Sequence, residues 1–420
     1  MAVETTELPG GLRVVTDAMP GLETASLGVY FAAGSRHESV AEHGLSHLLE
    51  HMAFKGTARR DARAIAESIE NVGGDLNAAT SVENTAYYAK VLREDCGLAM
   101  DVLADILTRS LFDAKELERE KQVILQEIAA MQDSPEELVF DLFNAAAFPD
   151  QPIGRPILGT AKGVKAFSRG TIQAYLDRHY TAKNCVIAAA GAVDHAAIRA
   201  HAESLFATLP GHDASPLAPA NYLGGEILVS KKLEQTQVVI GFAGLSYADP
   251  SNYAAHIFAN AVGGGMASPL FQEVREKRGL AYGVSAFHWS FLDAGLFGFE
   301  AGANAGDVRE LIAVGVDVLG EAAQSLSETD MLRAKAQTKV ALLTALESSS
   351  SRAEQIARQT MIFGRVLSQA EVIGKIDALT LEAVRAAGAS LLRTPPTVAI
   401  LGAVKKPVTT GDIAARLAGV

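Results

Sequence analysis

Cysteine is almost missing from this chain: Cys96 and Cys185 are the only two in 420 residues. They lie far apart and in no metal-ligand spacing, so neither a disulfide framework nor a cysteine-held metal is expected, and both are read as buried, reduced thiols. Positive charge is also in deficit, with 37 Lys and Arg against 49 Asp and Glu and a formal net charge of -12. That balance argues against a broad nucleic-acid-binding face, and an acidic chamber would instead draw basic peptides. No run of about eighteen apolar residues is present to span a membrane. The N-terminal stretch from Met1 to Gly10 has neither the basic and apolar regions of an export signal nor an Arg-rich transit pattern. The expectation is a cytoplasmic, bacterial protein, with a mature organellar matrix protein as the lesser alternative. A glycine cluster, Gly263-Gly264-Gly265, carries no phosphate-binding signature and reads as a mobile substrate loop or a helix-ending turn.

What the chain does have is His47-Leu48-Leu49-Glu50-His51. In a helix the two histidines stand one turn apart on one face, and Glu50 leans over the same spot. This H-x-x-E-H order is the inverzincin arrangement, two metal ligands and a carboxylate. The bland alternative is a solvated helix face with two ordinary histidines. Leu45, Leu48, Leu49, Met52 and Phe54 give the helix apolar sides to bury, and Gly56 suits its C-terminal stop. His43, four residues before His47, is separated from it by Gly44 and reads as a helix-entry residue.

A catalytic zinc takes three protein ligands and keeps a fourth position open. The segment from Lys115 to Ile128 reads as a partly buried helix through Leu117, Val123, Ile124 and Ile128, and Glu116, Glu120 and Glu127 share a face on it. Spacing alone does not choose among these glutamates.

Nearly half the residues are hydrophobic and 20% are charged, which excludes large-scale disorder. The length suggests two domains. Offset by about 210 residues, the chain resembles itself. Ser26–Gly34 reads as a buried strand leading to the His47 helix, and Gln237–Leu245 as one leading to a helix at Asn252–Val262. Under that alignment Phe258 and Val262 stand where the first copy has His47 and His51, so one zinc per chain is expected. Three prolines near 210–219 mark the join. The division expected is 1–210 for a zinc-binding domain, 211–222 for a linker and 223–420 for a related domain without metal. The fold class expected is α+β, each domain a mainly antiparallel sheet with helices packed on it.

The run Gly44–Thr57 closely resembles the M16 metallopeptidases, and further blocks follow in that family's order: Gly73–Thr80, Gly154–Thr160, Gly263–Met266 and Arg275–Tyr282. The resemblance covers nearly the whole chain. It implies two similar domains forming half of a clamshell, zinc-dependent hydrolysis of unfolded or short peptides in an enclosed chamber, and a homodimer or a heterodimer with a related chain. It places the third zinc ligand at Glu127, an additional acidic residue at Glu120 and the general base at Glu50. It implies a substrate-pairing strand at Asn77 and Ala78, although Asn77 could merely end a turn after Gly73-Gly74. By the same resemblance Arg275 and Tyr282 position the substrate carbonyl or the developing oxyanion. Read without the family, they are an exposed charge and a strand aromatic. The rival function is a noncatalytic assembly subunit, against which the presence of His47, Glu50, His51 and Glu127 together argues.

Overall fold

The computed structural model describes residues 3–419. Among these residues, alternating and continuous apolar runs form eleven strands in two sheets. The first sheet contains β1 (Glu4–Glu7), β2 (Arg13–Ala18), β3 (Thr24–Phe31), β4 (Asp75–Thr80), β5 (Thr85–Leu92) and β6 (Cys185–Gly191), in the order β1-β2-β6-β3-β5-β4. The second contains β7 (Gly225–Val229), β8 (Thr236–Ala243), β9 (Ala281–Ser290), β10 (Gly295–Ala303) and β11 (Thr397–Leu401), in the order β7-β11-β8-β10-β9. Each has one parallel pair, β2 with β6 and β7 with β11, and is otherwise antiparallel. Apart from β1 the two orders correspond strand for strand, which is the duplication read from the sequence. The α+β class expected from the strand and helix pattern is the one observed. No helix among the described residues is long and apolar enough to cross a membrane.

Two compact units make up the chain. One is Met1–Ala129 with Arg155–Ala218 and Leu343–Leu367; the other is Ala130–Gly154 with Pro219–Leu342 and Ser368–Val420. Chain order and packing differ in two places. The helix Pro135–Ala147 precedes residue 210 but packs on β8 and β11 of the second unit, and its Phe143 ring also lies 5.8 Å from that of Phe287 on β9 between centroids. Ser349–Phe363 follows residue 223 but packs on β2, β3 and β6 of the first. The cause is the sheet's second face. Helices such as Cys96–Thr108 cover one side of the first sheet, while Val15, Tyr30, Val186 and Ala188 point to the other and bury against Ile356 and Ala357. Asp17 and Arg352 pair at 2.6 Å beside them. β6 is therefore buried along its whole length, as its unbroken apolar sequence requires.

A fragment ending at Ala218 would leave this face bare, forfeiting on the order of 5 kcal/mol of apolar burial from a total stability of about 5–15. Such a fragment is expected to show no cooperative thermal transition by circular dichroism, and adding a 343–367 peptide should restore one. A sharp melt for the fragment alone would show that the face tolerates water.

Cys185 is buried as expected, whereas Cys96 is half-buried at the start of its helix. Both are free thiols.

Candidate metal centre

The His47 helix runs Leu45–Ala53 and is set by its entry. Gly44 adopts φ +97, and a Cβ there would lie 2.8 Å from the Leu158 carbonyl oxygen, so glycine is needed for both conformation and space. The buried Glu38 carboxylate receives the N–H of Gly44 at 2.7 Å and of Ser46 at 2.6 Å, satisfying groups that a helix start leaves unpaired. Burial pushes this carboxyl up to about 7, against the lowering effect of those hydrogen bonds. Arg155 donates to the Glu38 carbonyl at 3.1 Å, and His43 Nε2 donates to the Pro156 carbonyl at 2.7 Å. The Gly154–Thr160 block thus wedges the helix entry, and His43 serves that entry from outside the metal-ligand cluster.

With Leu45, Leu48, Leu49 and Met52 buried, the opposite face presents His47 and His51, their ring centroids 4.7 Å apart. The long helix Ala114–Gln132 brings Glu127 to them: its Oε2 lies 3.6 Å from Nε2 of each histidine. These three ligand atoms lie within 4.8 Å of one another. At 3.6 Å they are too far for good hydrogen bonds. Ligands about 2.0–2.1 Å from one tetrahedral ion stand about 3.3 Å apart, close to what is seen. Glu127 Oε2 and His47 Nδ1 are buried with no hydrogen-bond partner. Burial, then the neighbouring His51, lowers His47 to about 4, leaving a neutral ring with a lone pair to offer. Two imidazole nitrogens and a carboxylate oxygen fit the donor set of a zinc ion.

Glu120, two turns before Glu127, is not in this cluster but behind it. Its Oε2 lies 3.0 Å from His51 Nδ1 and its Oε1 is 2.8 Å from Lys55 Nζ. Glu116 pairs with Arg119 and takes no part. Glu50 is half-buried and makes no hydrogen bond or ion pair among the described residues. Its charge reaches the hydroxyls of Tyr87 and Tyr180, which bond each other at 3.0 Å; burial chiefly pushes Tyr180 up to about 12, with Glu50 adding to the rise.

Asn77 and Ala78 lie on β4, which among the described residues pairs only with β5 and so leaves one edge open. This strand packs against the His47 helix, with Thr80 Oγ1 donating to the Ser46 carbonyl at 3.3 Å. Asn77 is exposed, and its Oδ1 receives the Ala78 N–H at 2.9 Å.

Arg275 and Tyr282 belong to the second unit and are together there: the guanidinium carbon stands 4.7 Å from the Tyr282 ring centroid and 4.8 Å from that of Phe271. Tyr282 is 79% exposed and lies on β9, the open edge of its sheet. Gly263 closes the helix Asn252–Gly263 at a point where a Cβ would collide with the backbone of Ala286, so the first of the three glycines is a packing requirement. With Tyr282, Ser285 and Glu300 the glycines line a cavity of about 670 Å³.

Sequence reasoning missed Lys55 and Glu38. Lys55 stands four residues beyond His51, the spacing that places side chains on one helix face, and that signal could have drawn it in. Nothing local marks Glu38, which meets the helix start only through a turn.

Residues 13–161 match the family model described as insulinase, peptidase family M16, and residues 166–338 match the peptidase M16 inactive domain. An uncharacterized zinc protease of Rickettsia felis is 38% identical over 94% of this chain and 96% of its own length. A probable mitochondrial-processing peptidase subunit beta of Arabidopsis thaliana is 40% identical over 90% of this chain and 74% of that protein. Among solved structures, the peptidase M16 inactive domain from Pseudomonas fluorescens superposes with a TM-score of 0.87 at 23% identity, covering 97% of this chain and 100% of that one, which speaks to the fold.

Proposed function

The chain belongs to peptidase family M16, and on that premise we propose that it is a zinc-dependent endopeptidase hydrolysing unfolded or short peptides in an enclosed chamber. The observation that carries this is the convergence of His47 Nε2, His51 Nε2 and Glu127 Oε2, with a carboxylate on the same helix as the two histidines, Glu50, that makes no hydrogen bond or ion pair among the described residues. A zinc ion held by those three residues, one per chain, supplies Lewis acidity at the scissile carbonyl and makes water acidic enough to attack near neutral pH. Glu50 takes the proton of the attacking water on its carboxylate and passes it to the leaving amine nitrogen. Glu120 holds His51 by its Nδ1–H.

The peptide adds as a strand to the open edge of β4, where main-chain pairing gives affinity with little sequence preference. Ala78 offers its N–H there once the Asn77 side chain swings aside. Strand addition needs an unpaired backbone, so flexible peptides are cut and compact proteins spared. The test is zinc content by elemental analysis, together with cleavage of a panel of unstructured peptides and one stable folded protein. Near-stoichiometric zinc and peptide cleavage are expected. A chain with neither favours the noncatalytic assembly subunit, and rapid cuts inside the folded protein would contradict an enclosed site.

Within this reading Arg275 and Tyr282 of one subunit of a homodimer serve the zinc site of the other, the Tyr282 hydroxyl donating to the developing oxyanion. Tyr282 is exposed on an edge strand, as a residue reserved for a partner's substrate would be. Mixing inactive Glu50→Gln chains with inactive Tyr282→Phe chains puts both lesions in one site of the mixed dimer and leaves its other site whole. Activity should return to roughly a quarter of wild type if half the dimers are mixed and each has one working site. Confirmed subunit exchange without recovery means that Tyr282 acts within its own chain or not at all.

A further inference from the structure

Lys55 follows the end of the His47 helix, where the backbone N–H groups of Phe54 and Lys55 bond back to the carbonyls of His51 and Met52. Its Nζ lies 2.8 Å from Glu120 Oε1, and the other oxygen of that carboxylate lies 3.0 Å from His51 Nδ1. Building on the zinc site proposed above, we propose that Lys55 is a positioning residue for that centre, acting through Glu120 to hold the His51 ring with Nε2 turned toward Glu127.

Three observations support the chain of action. Glu120 is only 6% exposed, so its negative charge is largely out of water and depends on its partners. The Lys55 ammonium offsets that charge at one oxygen, which leaves the other free to accept the Nδ1–H of His51. Donation from Nδ1 fixes the tautomer in which the Nε2 lone pair points away from Glu120, toward the ligand cluster. The third observation is an asymmetry between the two rings. His47 Nδ1 is buried without a hydrogen-bond partner, so His51 is the histidine of the pair braced from behind among the described residues. Loosening that brace removes the orientation of one ligand in three.

The rival reading is an ordinary surface ion pair, since the Lys55 side chain is 29% exposed, and such a pair would leave metal binding unmoved. The experiment measures the zinc dissociation constant of the full chain by competition with a chromophoric chelator, for wild type, Lys55→Met, Lys55→Arg, Glu120→Gln and the Lys55→Met/Glu120→Gln double variant. Visible spectra of the cobalt-loaded proteins report ligand geometry alongside. Lys55→Met should weaken zinc about tenfold, the lower end of what loss of an outer partner costs. Lys55→Arg should restore binding to within about threefold, because it keeps the charge. The double variant should bind zinc no more weakly than Glu120→Gln alone, because Lys55 acts only through that carboxylate. Should Lys55→Met fail to fold, Lys55→Gln, which also removes the charge, is judged by the same limits. Wild-type affinity in the charge-removed variant overturns the proposal, as does a double variant in which the two effects multiply. Wild-type chain that takes up no zinc overturns the metal assignment first, and the role of Lys55 with it.

Discussion

Glu50→Gln should keep its zinc and lose about three orders of magnitude in kcat, near the middle of what a positioned proton acceptor contributes. Gln has the size of Glu but no basic oxygen at neutral pH, and Glu50 is not among the three converging ligand atoms. The substitution should therefore separate catalysis from metal binding. His47→Ala, His51→Ala and Glu127→Gln should do the reverse, losing zinc as well as activity, because each removes a member of that set. KM should change little in Glu50→Gln, since in the proposed binding mode the edge of β4, and not the base, holds the peptide. Near-normal turnover by zinc-loaded Glu50→Gln would sink the assignment of the base. If Glu120→Gln sheds zinc and Glu127→Gln does not, the third ligand has been placed on the wrong glutamate.

These residues differ in how far local sequence revealed them. His47, Glu50 and His51 were legible because helix geometry alone brings residues three and four apart onto one face, and the structure keeps them in one helix. Glu120 and Glu127 were legible as a pair for the same reason, yet periodicity could not tell which faced the histidines. The structure shows why both matter to the geometry: Glu127 reaches both Nε2 atoms and Glu120 reaches Nδ1 of His51, on the far side of the ring. The duplication was legible because burial leaves its mark in β3 and β8, two apolar strands followed by helices.

The exchange of helices between the units was not legible. An amphipathic pattern in Ser349–Phe363 or Pro135–Ala147 says that a face will be buried, and says nothing about which sheet receives it. Glu38 was equally hidden, because a carboxylate that caps a helix from six residues upstream depends on the turn between them. The Gly154–Thr160 block could be seen as a motif, but its purpose is a contact with Gly44 made across more than a hundred residues.

Stability should fall by several kcal/mol as metal-free chain is taken from pH 7 to pH 4, and buried histidines are the reason. Burial, with smaller effects of nearby rings and arginines, lowers His37 and His179 to about 4 and His288 to about 3; burial and His51 lower His47 to about 4. In the unfolded chain each returns to about 6.5. Between those values the unfolded state binds more protons than the folded one, so stability is present above pH 6.5 and is lost as pH falls toward 4. At about 1.4 kcal/mol per pKa unit, each ring accounts for roughly 3 kcal/mol at pH 4. Two of the rings also accept a backbone N–H that protonation would displace, His37 Nδ1 from Gly34 at 3.1 Å and His288 Nε2 from Leu245 at 2.9 Å. Glu38 and Asp141 work the other way. Burial raises them to about 7 and about 6, so the fold takes up their protons first and gains stability as pH falls through those values. Together they offset roughly half of the histidine loss. Removing one side of this balance should therefore change the slope in a known direction. With zinc chelated, the urea midpoint of His288→Gln should fall less steeply than wild type between pH 6.5 and 4, since Gln can accept the Leu245 N–H without taking a proton. That of Glu38→Gln should fall more steeply, because the opposing carboxyl is gone. Parallel slopes for all three proteins would mean that these groups do not govern the acid limit of the fold.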